Sequence, residues 1–221
     1  MAECRWCDKR GLFLSVDTNG LCRNCQPLII EIRSVTRVLG DSMRLAHEGK
    51  TFGTRLSRCD LAIEHAEHLA KFERKGVPTI SPPPSTIVSE YRGFRANLVV
   101  EEADTVVEGA FEKAGVASTP KAKERALAAG VLKLRELAQE LEDSSRINSL
   151  EQRIRQEIHR VTLGGYLEGG RKAEFKGNVR KAIDQYQEAL FFIKNDEIDD
   201  TRQESEIHEI EAKLKGLTGA Q

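Results

Sequence analysis

Cys4-Arg5-Trp6-Cys7 and Cys22-Arg23-Asn24-Cys25, two Cys-x-x-Cys knuckles with fourteen residues between them, decide how the rest of this chain is read. Knuckles at this separation fold over each other so that four thiolates meet one tetrahedral ion, which is the coordination of a structural Zn²⁺ site. Cys4, Cys7, Cys22 and Cys25 are therefore the candidate metal ligands, with one structural Zn²⁺ as the expected cofactor. Four of the five cysteines lie in knuckle spacing, which argues for metal in a reducing compartment rather than a disulfide framework. Cys59, the fifth, falls at an apolar helical position and reads as a small buried thiol.

Between the knuckles, Leu12, Leu14 and Val16 alternate with Phe13, Ser15 and Asp17, and Asn19-Gly20 supplies the positive φ of a tight turn. The pattern predicts a β-hairpin that leaves the first knuckle and closes onto the second. So few residues cannot bury enough surface to fold alone, and a bound Zn²⁺ worth about 10 kcal/mol or more makes up the deficit. Residues 1–26 resemble a zinc ribbon, a family found in nucleic-acid binders and in protein adaptors. Iron in a rubredoxin-like site is the alternative occupant. Trp6, the only tryptophan, either contacts a base or partner or packs onto a following helix.

Aromatic residues make up only 5% of the 221 residues and charged residues 31%, a usage that favours long helices over sheet. Lys and Arg number 34 against 35 Asp and Glu, so no bulk field draws the chain to nucleic acid or anionic lipid. The N-terminus lacks the apolar run of a signal peptide, and no stretch approaches the roughly 20 apolar residues of a membrane span. A soluble, cytoplasmic protein is expected.

The helical body begins after Pro27. Leu28, Ile32, Val35, Leu39, Ser42 or Met43, and Ala46 fall on one face, and Arg33, Arg37 and Arg44 form a stripe on the other. With Arg5 and Arg23 these arginines are the candidate nucleic-acid contacts, although such a stripe also describes a solvated face. After a break at Gly49–Gly53, Thr54 is a candidate N-cap for a second helix. Its apolar stripes are Leu56, Cys59, Ile63, Ala66 and Ala70, and beside them Leu61, His65, His68 and Phe72. His65 and His68 have no matching ligand pair and read as core or boundary residues. Residues 77–84 contain four prolines and form a stiff connection. Ser85 opens a long helix to about Ala114, with Ile87, Tyr91, Phe94, Leu98, Val106 and Ala110 on its inner side.

Leu127, Val131, Leu134, Ala138 and Leu141 stand at heptad positions, and so do Ile147, Leu150, Ile154 and Val161 after the polar break Asp143-Ser144-Ser145. Two such helices predict an antiparallel hairpin or coiled coil, whose faces also allow homo-oligomerisation.

Tyr166, Gly170, Ala173, Gly177, Ala182, Tyr186 and Ala189 follow in the last third, with Gly177-Asn178 as the turn. Over residues 163–196 these resemble a tetratricopeptide repeat, and the microtubule-interacting-and-transport bundle has a similar pattern. The resemblance implies a helical hairpin, followed here by a capping helix from Glu197 to Leu217. The glycines at 164–165 and 169–170 imply a kink or a close helix approach.

The predicted fold is mostly α: a zinc ribbon (1–26), a helical hairpin (27–76), a Pro-rich connection (77–84), long coiled-coil-like helices (85–162) and the repeat-like hairpin with its cap (163–221). No catalytic residue is assigned. The residues three before the five histidines are Arg44, Ala62, His65, Gln156 and Ser205, so the Glu-x-x-His of di-iron bundles is missing. No nucleophile elbow or phosphate-cradling loop occurs either. The expected function is that of a non-enzymatic adaptor. Its docking residues would be Trp6 and Phe13 at one end and Tyr166, Tyr186 and Phe192 at the other. The alternative is a nucleic-acid-binding or regulatory protein that uses Trp6 and the arginines.

Overall fold

The computed structural model describes residues 2–196 and 203–219. Two short strands pair at the N-terminus, β1 (Ala2–Glu3) and β2 (Arg10–Gly11), in an antiparallel register with Ala2 opposite Gly11. Helices dominate the rest: α1 (Leu28–Glu48), α2 (Phe52–Arg74), α3 (Pro84–Val116), α4 (Pro120–Ala138), α5 (Ser145–Phe175), α6 (Val179–Lys194) and α7 (Glu204–Gly219). The chain divides into two compact units, Met1–Glu102 and Ala103–Gln221, with α3 contributing residues to each.

In unit 1, α1 buries Ile32, Leu39, Ser42 and Ala46, the face expected from its apolar spacing, with Ser42 rather than Met43 taking the innermost position. Cys59, Ala62, Ala66, Leu69 and Phe72 are the buried face of α2. The step of three or four is kept, but the stripe lies between the two expected ones, and Leu56 and Ile63 are only partly buried. The α2 cap is Thr51, not Thr54: the Thr51 hydroxyl accepts the Thr54 backbone N–H at 3.2 Å. Ile87, Tyr91 and Leu98 of α3 close this core. Polar links fasten its rim, with Arg95–Asp60 and Arg92–Glu67 each at 2.6 Å. The Pro-rich connection is anchored at both ends. Val77 is buried, and the Glu73 carboxylate accepts the Ser85 backbone N–H and hydroxyl at 3.1 and 2.9 Å.

In unit 2, Ala103, Val107, Ala110 and Ala114 are the buried positions of α3, so the inner side passes through Val107, where Val106 was expected. The heptad residues Leu127, Leu134, Ile147 and Ile154 are almost fully buried where α4 packs on α5. A Cβ at Gly130 would meet Ala110 Cβ at 2.8 Å and Ile154 Cδ1 at 3.2 Å, so glycine there brings three helices together. The helix α5 runs unbroken across 162–163, the expected boundary of the C-terminal hairpin. The hairpin turn is at Gly177, with φ of 70°, and Asn178 caps α6 by accepting the Lys181 N–H at 3.1 Å. The start of the expected capping helix, residues 197–202, lies outside the described residues; α7 begins at Glu204.

Candidate metal centre

The first knuckle is shaped by β1 and β2, which flank it. Inside them the Cys4 N–H donates to Lys9 C=O and the Asp8 N–H to Cys4 C=O, each at 2.9 Å, and Asp8 takes a left-handed φ of 58°. The second knuckle follows a turn built on Asp17. One Asp17 carboxylate oxygen accepts the N–H groups of Asn19 and Leu21 at 2.9 Å, and Gly20 has φ of 76°. A single antiparallel bridge, Val16 with Cys22, closes that turn. The predicted hairpin is thus corrected. The pairing strands embrace the first knuckle, Leu12-Phe13 lies in a turn in which the Leu14 N–H donates to Gly11 C=O at 3.4 Å, and of the expected pairing across 12–22 the Val16–Cys22 bridge forms.

These turns bring the four thiol groups together, with every Sγ of Cys4, Cys7, Cys22 and Cys25 within 4.8 Å of the others. Cys7 Sγ and Cys22 Sγ are 3.9 Å apart. A disulfide would need about 2.05 Å, whereas a tetrahedral ion with metal–sulfur bonds of about 2.3 Å sets its ligands roughly 3.8 Å apart. All four cysteines are free thiols; Cys4, Cys22 and Cys25 are buried and Cys7 is exposed. The Cys22 N–H donates to Cys4 Sγ at 3.3 Å, the kind of backbone donor that stabilises a thiolate.

Electrostatics divide the thiols. Burial works to raise Cys4, but backbone N–H donors of Cys7, Cys22 and Trp6 outweigh it and bring the thiol down to about 6. Burial is the first cause raising Cys25, to about 12, and hydrogen bonds it makes as a thiol to its three neighbours add to this. One thiolate is thus favoured in the cluster before any ion enters, and a metal cation would favour all four. The cluster can hold a metal ion.

The remaining predicted residues separate. Trp6 stacks on Phe72 of α2, ring centroids 4.6 Å apart at 22°, which ties the metal-binding head to the helices. Two polar contacts reinforce this seam: Arg5 Nη1 donates to Gly76 C=O at 2.8 Å, and Lys75 pairs with Asp8 at 2.7 Å. Arg5 also lies against Gly20, where a Cβ would come within 2.6 Å of its Cδ. Arg44 pairs with Glu48 at 3.0 Å. Two of the five candidate nucleic-acid contacts therefore have partners within the protein, at its surface. Arg23, Arg33 and Arg37 are exposed and make no ion pair among the described residues.

Phe13 is 101% exposed and Leu12 84%. Tyr186 is corrected as a docking residue: at 2% exposure it belongs to the core, its ring lying over Gly170, where a Cβ would come within 2.7 Å. Tyr166 and Phe192 are partly buried against that core, their centroids 6.1 Å apart. Sequence reasoning missed Phe175 and Phe191, 92% and 67% exposed. Phe175 directly precedes the Lys176-Gly177-Asn178 turn, and that position was the available signal. His68 bonds Glu31 across α1 and α2 at 2.7 Å, a boundary histidine as expected, and Cys59 is fully buried.

Among the described residues, no helix is long and apolar enough to cross a membrane. Comparison of the chain with protein families, with curated proteins and with solved structures finds no match.

Proposed function

We propose that this chain is a non-enzymatic adaptor, in which one structural Zn²⁺ fixes a small head that presents an apolar loop to a protein partner. The observation that carries this reading is the exposure of Leu12 and Phe13 between the two knuckles. A phenylalanine held in water by a metal-braced backbone forgoes roughly 2 kcal/mol of burial, which a partner's apolar pocket recovers. The four-thiol donor set supports the rest. Four thiolates close a tetrahedral Zn²⁺ site and leave no open position for substrate, as in structural rather than catalytic sites. Free thiols fit a reducing compartment such as the cytoplasm. The repeat-like α5–α6 hairpin, carrying exposed Phe175 and Phe191, supplies the second docking end.

Two measurements test this. Elemental analysis of the purified chain is expected to find about one zinc per chain, and a coloured iron–thiolate protein would reject the assignment. A photo-crosslinking residue at position 13 is expected to trap one discrete protein that Leu12→Ser releases. Crosslinking no stronger than from a control position on α4, or oligonucleotide binding that falls steeply with salt, would reject the adaptor in favour of a structural or nucleic-acid-binding head.

A further inference from the structure

Within unit 2, α5 gives way to α6 at a turn whose residues, Phe175 to Asn178, are all exposed. Phe175 is 92% exposed and Val179, which opens α6, 36%. Glu174 and Val179, on either side of the turn, line a cleft of about 520 Å³ whose other wall is α7, with Ala212 and Leu217. Clefts that take a ligand run from roughly 300 to 1,000 Å³.

The two walls differ in charge. On the α7 side both signs occur: Lys213 faces Glu174 at 3.7 Å and lines the adjoining hollow together with Arg171, Glu206 and Glu209. On the turn side only one occurs. Lys176, Arg180 and Lys181 are exposed and make no ion pair among the described residues, and Asp184, the next acidic residue along α6, pairs with none of them. The helix itself does not explain these cations. A first turn favours acidic side chains, α6 has none there, and Arg180 and Lys181 stand in it instead. Asn178 already caps the backbone by accepting the Lys181 N–H at 3.1 Å, so what is left uncommitted is the three cationic side chains.

We propose that this turn and its cleft dock a short segment of a protein partner in which acidic residues flank a bulky aliphatic or aromatic residue. The apolar side chain enters the cleft against Val179 and Leu217, and Phe175 covers it from the rim. The flanking carboxylates reach Lys176, Arg180 and Lys181 and accept charge-assisted hydrogen bonds, Arg180 offering two parallel N–H donors to one carboxylate. Nucleic acid brings the same negative charge but no aliphatic side chain for the cleft, and a lipid surface has no protrusion to enter it. This names the partner chemistry at the second docking end and rests on the adaptor reading.

Random twelve-residue peptides displayed on phage, selected on the intact zinc-loaded chain, test it directly. Clones are sorted by whether they also bind the Lys176→Glu/Lys181→Glu variant, in which only exposed side chains change. The expected result is a class of clones lost on the variant, with Asp or Glu flanking Leu, Ile or Phe. A synthetic peptide of that class, followed by fluorescence anisotropy, is expected to bind about tenfold more weakly to the variant and severalfold more weakly to Phe175→Ser. The same peptide with Lys in place of its acidic residues should bind the variant. The variant should melt no lower than the parent chain, since an acidic side chain suits the first turn of α6. Absence of variant-sensitive clones, a variant-sensitive class without acidic residues, or a charge-swapped peptide that fails to bind the variant would overturn the proposal. So would variant-sensitive binding to phosphatidylserine vesicles or to a mixed-sequence oligonucleotide that is tighter than to any peptide, which would assign the turn to a membrane or to nucleic acid. A crosslink from position 13 without such peptides would remove this surface and leave the head's docking role. Such peptides without the crosslink would leave this surface standing and remove only the head's role.

Discussion

Trp6 sits where a side chain can turn to solvent or to the protein, and in this fold it is partly buried and stacks on Phe72. Because it is the only tryptophan, its fluorescence reports the seam between head and helices. Chelating the metal is expected to red-shift that emission and expose Trp6, since losing a structural ion worth on the order of 10 kcal/mol removes what folds the head. An unchanged spectrum after verified metal removal would count against the coupling. A second residue-scale prediction concerns Glu151. Burial works to raise its carboxyl, but hydrogen bonds from Arg135 and Arg155, at 3.1 and 2.9 Å, win and hold it below its ordinary 4.5. A carboxylate depressed in this way contributes stability above its ordinary pKa and loses it as pH falls through the lowered value. Glu151→Gln is expected to cost about 1 kcal/mol at pH 7. Urea unfolding should show that difference shrinking as the pH drops well below 4.5. The same difference at acid and neutral pH would refute the linkage.

At the scale of single elements, α5 resolves the meaning of its paired glycines. It does not break at residues 164–170; it lets neighbours approach. A Cβ at Gly165 would come within 3.0 Å of Pro120, one at Gly169 within 2.4 Å of Gln185, and one at Gly170 within 2.7 Å of the Tyr186 ring. Gly164 has nothing within 4 Å. Gly170→Ala is therefore expected to destabilise unit 2 by about 1–3 kcal/mol through overpacking. Gly164→Ala should stabilise it by roughly 0.5–1 kcal/mol, because alanine loses less backbone freedom in a helix. Thermal melts that rank the two variants the other way would contradict the packing. In α2, Thr51→Ala is expected to cost about 1 kcal/mol, and Thr54→Ala much less, because only Thr51 accepts a backbone N–H at that terminus. Equal melting shifts for the two would return the cap to Thr54.

For the whole molecule, each unit having its own core means that metal loss should stay local. Hydrogen exchange after chelation is expected to rise in residues 2–26 and around Phe72–Val77, while the amides of α6, with Ala182, Tyr186 and Ala189 buried, keep their protection. Loss of protection in α6 would show that the units share one cooperative fold. The helical class, the buried face of α1, that of α4 from Leu127 to Leu134 and of α5 from Ile147 to Ile154, and the four-thiol cluster were legible in the sequence because they obey local periods, three to four residues for a helix face and three for a metal knuckle. Beyond those spans the inner positions are Leu137 and Leu163 where Ala138 and Val161 were expected, and Leu141 lies past the end of α4. Local spacing also carries the turns at Asn19-Gly20 and Gly177-Asn178, where φ must be positive. What spacing cannot carry is which distant surface a side chain meets. Strand pairing joined residues 2–3 to 10–11 and kept the Val16–Cys22 bridge of the pairing expected across 12–16, Tyr186 went into the core, and Arg5 went to a carbonyl at Gly76. Those outcomes depend on competition between remote partners for the same backbone groups and the same buried volume, which only the tertiary structure decides.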